Sequence, residues 1–143
     1  MYQEIYIVEK KNIILWFIIL GLIPFYVENF FEYVVELNNE NLLLMLNEMS
    51  YLYGALIVAF LSGMQWQRAI EKKTSKSILI IPMVPFFLVW FYNNDFLEPK
   101  VLIIVCLLIS LFIDFKFFNK YLTNEFIKLR FIVTLLAIFS YLI

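Results

Sequence analysis

The sequence has no histidine and a single cysteine, Cys106. Without imidazole there is no Ser-His or Cys-His dyad, no histidine-ligated haem and hardly any zinc site. One cysteine rules out an intramolecular disulfide and a cysteine-ligated cluster. Glycine is also scarce, with 3 residues, and no lysine or arginine occurs between Lys11 and Arg68. The absences leave little room for catalysis, so we predict that the chain is not an enzyme and holds no metal or cofactor.

Apolar residues dominate what is present. Hydrophobic residues make up 64% of the 143 residues, against roughly 45–50% in soluble domains. The mean hydropathy is +0.86. A short head at residues 1–12, with Lys10 and Lys11 near its end, precedes the first apolar run, as in a signal peptide. The run is too long for a signal peptide and no small-residue cleavage site follows it, so we predict an uncleaved span. We predict one domain, residues 1–143, that is an all-α membrane bundle of about five spans, at about 13–31, 48–68, 78–92, 100–116 and 125–143.

The second predicted span carries a seam of small residues. Ala55, Ala59 and Gly63 recur every four residues and therefore share one helical face. Small residues let helices approach closely in lipid, so we predict helix packing on this seam. Trp66 and Arg68 then end the span as interfacial residues. An alternative is that Gln65 and Gln67 line a polar pocket at the membrane surface.

The charges predict an orientation. Ten of the eleven basic residues fall in the head, the loop after the second span and the turn before the last span. The positive-inside rule then places the N-terminus inside and the C-terminus outside. We predict that Lys72, Lys73 and Lys76, with Trp66 and Arg68, contact lipid head groups such as those of cardiolipin. The net charge of −1 argues against nucleic acid as a partner.

Asp114 and Arg130 lie at similar distances from the turn between the last two spans. In an antiparallel hairpin they reach similar depth, where a charge is costly unless it pairs. We predict a salt bridge between them with a structural role, and proton or ion handling is the alternative.

Two further patterns each allow two interpretations. The acidic residues Glu28, Glu32, Glu36 and Glu40 fall on one helical face, which is either solvated or attracts cations or a basic partner. Prolines 82 and 85 in the third span indicate either a plain kink or the broken helix of a transport site.

Several motifs, taken in order, resemble one family. They are YGALIVAFLSGMQW at 53–66, Pro85 with Trp90, Asp114, and KLRFIVTLL at 128–136. This series resembles the transmembrane protein 69 family (domain of unknown function 3429), with departures at Ala59 and Gln67. The resemblance implies a five-span protein of the bacterial or mitochondrial inner membrane and implies no mechanism.

The expected function follows from this membrane context. We predict a non-catalytic integral subunit or assembly partner of a larger inner-membrane complex, with the respiratory chain as the first candidate and other membrane subunits as partners. The alternative is a small homo-oligomeric transporter or channel for an ion or small solute, with Asp114 among its polar elements.

Overall fold

The computed structural model describes residues 2–34, 39–92 and 97–143, and this part of the chain is helical, with no strand. The helices are α1 (Tyr2–Asn29), α2 (Glu40–Glu71), α3 (Lys76–Ile80), α4 (Met83–Trp90), α5 (Pro99–Ile113) and α6 (Asn124–Leu142). A π-helical turn, Phe30–Val34, extends α1. A second π-helical turn, Asp114–Phe118, and a 3-10 turn, Asn119–Tyr121, extend α5. The all-α prediction is confirmed.

Within the described residues, two helical stretches are long and apolar enough to cross a membrane, judged by length and composition. They are Glu40–Glu71 and Pro99–Tyr121, and Lys76–Trp90 is a shorter apolar stretch. Four of the five predicted apolar runs each fall on one continuous helical stretch, and the third falls on two helices, α3 and α4. The number of spans and their orientation stay predictions.

The division of the third stretch has a local cause. Proline has no N–H to donate, so Pro82 and Pro85 interrupt the main-chain ladder. Around them the Ile81 N–H donates to Ser77 O at 3.2 Å and the Val84 N–H donates to Ile81 O at 3.1 Å. Both prolines are fully buried. The break therefore lies inside the bundle, where the Cys106 thiol donates to Pro85 O at 3.7 Å.

Helix ends are set by the sequence around them. Asn39 Oδ1 accepts from the Leu42 N–H, and Thr123 Oγ1 accepts from the Phe126 N–H, so both are N-caps. At the end of α2, Lys73 has φ 47° and the Thr74 N–H donates to Ala69 O at 3.1 Å. This is a Schellman turn with lysine in the left-handed position that glycine usually takes.

Helix α2 is the centre of the bundle and packs against α1, α4 and α5. Its buried apolar residues Val58 and Leu61 join a core with Phe25 of α1 and Ile103 of α5. The successive helical stretches α1, α2, α3 with α4, α5, and α6 alternate in direction. The end of α2 therefore lies beside the end of α5 and the beginning of α6. The bundle consequently has two ends. We call the one that contains Arg68 and Arg130 the arginine end, and the one that contains Tyr26 and Tyr141 the tyrosine end.

Candidate functional site: a buried charged cluster

Asp114 is the centre of a buried charged cluster at the arginine end, made up of Gln65, Arg68, Ser110, Asp114 and Arg130. Arg130 Nε donates to Asp114 Oδ2 at 3.0 Å, and Arg68 Nη1 donates to Asp114 Oδ1 at 3.4 Å. The three side chains are only 5–17% exposed. The structure therefore brings together the two residues of the predicted pair and adds a second arginine that the sequence interpretation placed elsewhere.

A π-helical turn begins at Asp114, directly after α5. Helix α5 ends at Ile113, and the chain continues as a π-helical turn from Asp114 to Phe118. Asp114 and Phe118, the first and last residues of this turn, are both buried. Such turns occur frequently at functional sites because they shift side chains relative to a regular helix. Asp114 itself keeps the geometry of α5, with φ −59° and ψ −45° and its N–H donating to Ser110 O, so α5 sets the direction of its carboxylate.

Ser110 connects the carboxylate to α2. It precedes Asp114 by four residues and therefore lies on the same helical face. Gln65 Nε2 donates to Ser110 O at 2.8 Å and to Ser110 Oγ at 3.1 Å, while Arg130 Nη2 donates to the same hydroxyl at 3.3 Å. Gln65 is 2% exposed. Gln65, for which a polar pocket at the membrane surface was the alternative, therefore makes a buried contact between two helices. Gln67 is exposed, and its Nε2 donates to Glu71 Oε1 at 3.0 Å.

Arg68 differs most from its predicted place among interfacial lipid contacts. Its guanidinium carbon lies 5.7 Å from the ring centre of Phe118 and 5.9 Å from that of Phe126. An arginine between two aromatic rings and a carboxylate is held by cation–π contacts as well as by charge. The spacing contained a signal for this, because Arg68 follows Gln65 by three residues and so shares its face.

The cluster links three helices through one carboxylate. Both oxygens of Asp114 accept from guanidinium groups, one on α2 and one on α6. Hydrogen bonds between ionised groups are about twice as strong as neutral ones. Removal of one partner from such a set leaves an uncompensated buried charge. The arrangement is therefore suited to fixing the mutual position of α2, α5 and α6.

The remaining interfacial predictions fall on exposed positions. Trp66 is 42% exposed, and Lys72, Lys73 and Lys76 are all exposed. The Lys72 ammonium lies 5.7 Å from the ring centre of Tyr121. These side chains are placed where head groups could be met, and their lipid contact stays a prediction.

The small-residue seam does not form the close contact inside this chain. Ala55 and Ala59 are half-buried, and Gly63 is exposed, with nothing within 4 Å of a Cβ added there. The close approach is at Gly54 instead, where a Cβ would meet the Tyr141 hydroxyl and would lie 2.8 Å from Ile103 Cγ2. The face of α2 that packs closely within this chain therefore contains Gly54, one residue before Ala55 of the predicted seam.

The predicted acidic face is also divided. Glu28 is 8% exposed and accepts from Lys100 Nζ at 3.0 Å, which ties the end of α1 to the start of α5. Glu32 and Glu40 are exposed, and Glu36 lies outside the described residues. The two interpretations of this face stay open for the exposed carboxylates alone.

The tyrosine end is held differently, by hydroxyl groups that donate to main-chain carbonyls of other helices. Tyr26 donates to Leu136 O at 2.7 Å, and Tyr33 donates to Ile143 O at 2.9 Å. Tyr53 donates to Gly21 O at 2.7 Å, and Tyr141 donates to Ser50 O at 2.8 Å. Phenyl contacts accompany them, since the Phe25 ring packs edge-on against Tyr53 and Tyr141 with centroids 5.0 and 5.6 Å apart.

Comparison with known proteins identifies a family and nothing more specific. Residues 10–143 match the model of a family described as a protein of unknown function (DUF3429). No curated protein and no solved structure matches the chain. The resemblance to domain of unknown function 3429 is confirmed, while the name transmembrane protein 69 stays a prediction. With nearly its whole length matched, this chain belongs to the DUF3429 family.

Proposed function

We propose that this chain is a five-span integral membrane protein that acts as a non-catalytic subunit or assembly partner of a larger inner-membrane complex. The observation that carries the proposal is how its buried polar groups are used. The charged cluster and the tyrosine hydroxyls bond helix to helix, and the outward surface is apolar. Such a chain is built to hold a shape within lipid and to present that shape to neighbours.

Membrane insertion is supported by the exposed surface. Large hydrophobic side chains are exposed on every long helix, for example Phe17 at 71%, Phe60 at 63%, Phe112 at 56% and Phe139 at 55%. Soluble monomers rarely expose contiguous apolar patches of this kind. Lipid is the solvent in which this surface is favourable, and the helices satisfy their own main-chain groups as spanning segments must.

The proposed orientation rests on the separation of charge between the two ends. Of the basic residues whose side chains are described, eight lie at the arginine end, and Lys100 at the tyrosine end is paired with Glu28. The positive-inside rule then places the arginine end at the cytoplasm or matrix. The N-terminus lies inside and the C-terminus outside.

The orientation has a direct test. Cys106 is the single cysteine and is buried, so a Cys106→Ala chain provides a background for single-cysteine labelling. Ser75→Cys and Leu97→Cys introduce thiols at exposed positions of opposite ends. We expect a membrane-impermeant maleimide to label Leu97→Cys from outside, and Ser75→Cys only after the membrane is opened. The reverse pattern would refute the orientation.

A partner-facing surface is offered by α4. Phe86, Phe87, Trp90 and Phe91 form a chain of ring contacts with centroids 5.3–6.0 Å apart. Trp90 and Phe91 are 70% and 74% exposed. Aromatic residues are enriched at protein interfaces, so this surface favours a second membrane protein as partner.

The subunit function is tested by native size. The full chain is extracted in a mild detergent, separated under native conditions, and the co-migrating proteins are identified by mass spectrometry. We expect a complex far larger than the 17.2 kDa chain, with respiratory subunits as the first candidates. Trp90→Ala should weaken that association, and Leu142→Ala, at another exposed apolar position, is the matched control. Migration as a monomer or small homo-oligomer would contradict the subunit proposal and favour the carrier alternative.

A further inference from the structure

A groove of about 410 Å³ lies between α1, α2 and α6, with α5 behind it. This volume is within the roughly 300–1,000 Å³ range of ligand sites. Its walls are almost wholly apolar and include Phe17, Phe60, Met64 and Val133. The polar residues of the wall are Arg130 and Thr134.

The groove opens to the outside between α1 and α2, whose exposed side chains stand on either side of it. Near the tyrosine end Phe25 is 3% exposed, and the Tyr53 hydroxyl donates to Gly21 O. Two turns earlier on α1, Phe17 is 71% exposed, as is Phe60 across the groove at 63%. The opening therefore faces the surface that we propose lies in lipid.

The length of the groove matches one leaflet. On α6 its wall extends from Phe126 to Ala137. At 1.5 Å per residue this is about 16 Å, close to half of a hydrocarbon core about 30 Å thick. An acyl chain of one leaflet has the shape and the chemistry of this space.

Charge selects the head group. Arg130 lines the groove wall, and its guanidinium has five N–H groups, from which Nε and Nη2 serve Asp114 and Ser110. Among the described side chains, the arginine end has eight basic residues and three acidic ones, Glu71, Asp114 and Glu125. A positive membrane face attracts anionic lipid.

We propose that this groove binds one acyl chain of an anionic phospholipid from the leaflet at the arginine end, with the lipid phosphate toward Arg130. The inference rests on the proposed membrane insertion. It is independent of whether a partner complex exists.

The test measures retained lipid by native mass spectrometry of the full chain in a mild detergent. Phosphatidylglycerol and phosphatidylcholine with identical acyl chains are added separately. We expect one retained phosphatidylglycerol per chain. It should be favoured roughly fivefold over phosphatidylcholine, because this is the preference that one basic residue near an anionic lipid contributes. Equal retention of the two lipids would overturn the head-group assignment.

A matched pair of variants tests the location. Val133→Trp fills the groove, whereas Ile132→Trp adds the same bulk at the neighbouring position, which is 54% exposed. We expect Val133→Trp to lose the retained lipid and Ile132→Trp to keep it. Retention by both, or loss by both, would overturn the groove as the site. If Val133→Trp does not purify as a folded chain, Val133→Phe replaces it in the same comparison.

The role of Arg130 is tested by charge. Arg130→Gln should remove the preference for phosphatidylglycerol, and Arg130→Lys should keep it. An unchanged preference in Arg130→Gln would overturn the role of this residue. Extraction of wild-type membranes with alkaline carbonate separates the two proposals, because release of the chain would refute membrane insertion. A chain that stays in the membrane and retains no lipid would refute only the groove.

Discussion

The two ends of the bundle are held together by different means. At the arginine end, charged and polar side chains on α2, α5 and α6 converge on Asp114. At the tyrosine end, separate hydroxyl groups donate to separate carbonyl oxygens, and no two of the four bonds share an acceptor. A shared carboxylate makes the hydrogen bonds of the arginine end interdependent, whereas the four hydroxyl bonds of the tyrosine end have separate donors and acceptors.

This difference follows from what each group requires in a medium of low dielectric constant. A buried charge is destabilising until it is paired, and it becomes strongly destabilising when its partner is removed. A tyrosine hydroxyl is neutral, and a carbonyl oxygen already bonded within a helix still has a second lone pair to accept it. Damage at the arginine end should therefore spread, and damage at the tyrosine end should stay local.

The largest expected effect is that of Asp114→Asn. The substitution keeps the size of the side chain and removes the charge that Arg68 and Arg130 share. We expect the free energy of unfolding to fall by about 3–5 kcal/mol, as when a buried ion pair is broken. The measurement is the unfolding of the purified chain by titration of mild detergent micelles with sodium dodecyl sulfate.

Glu28→Gln is the matched control at the tyrosine end. It removes one carboxylate from the pair with Lys100, whose side chain is 32% exposed. Partly exposed pairs contribute about 1 kcal/mol or less. A loss equal to that of Asp114→Asn would show that the two ends do not differ as proposed.

A smaller effect is expected at the closest helix contact. Gly54→Ala places a Cβ against the Tyr141 hydroxyl and 2.8 Å from Ile103 Cγ2. We expect a loss of about 1–3 kcal/mol in the free energy of unfolding, because overpacking forces the neighbours to move. The same micelle titration measures it.

Gly63→Ala provides the comparison on the same helix. Nothing lies within 4 Å of its added Cβ, so the helix gains up to about 1 kcal/mol of propensity. If Gly63→Ala lowers the free energy of unfolding of the isolated chain more than Gly54→Ala does, α2 does not pack on the face that contains Gly54. If Gly63→Ala is harmless in the isolated chain but disrupts a larger complex, the predicted seam faces a partner.

Sequence reasoning reached the helices because their signals are local. Apolar runs and the helix-interrupting residues Pro82 and Pro85 each act within a few residues of their own position. The pairing of Asp114 with Arg130 was accessible for a related reason, since both flank one short turn and a hairpin brings them to one depth.

The missed features depend on the rotation of helices about their axes. Ala55, Ala59 and Gly63 form a periodic pattern, but nothing in α2 alone shows that Gly54 faces Tyr141, 87 positions later. Likewise, Arg68 follows a tryptophan as an interfacial residue would, and only the packing of α2 against α5 brings the Asp114 carboxylate within 3.4 Å of it. These contacts are set by tertiary packing, which overrides a local pattern.

The smallest expected effects are also the sharpest test of the contrast between the ends. Tyr26→Phe and Tyr141→Phe each remove one hydroxyl that donates to a carbonyl on another helix. Such bonds contribute about 0.6 kcal/mol on average in membrane bundles, and at most about 1.7. Since the two bonds share no atom, the double variant should lose the sum of the single losses within about 0.5 kcal/mol.

Arg68→Gln and Arg130→Gln share Asp114, so their double variant should depart from additivity by about 0.5–3 kcal/mol. Coupling between the tyrosines as large as that between the arginines would mean that both ends form one cooperative network.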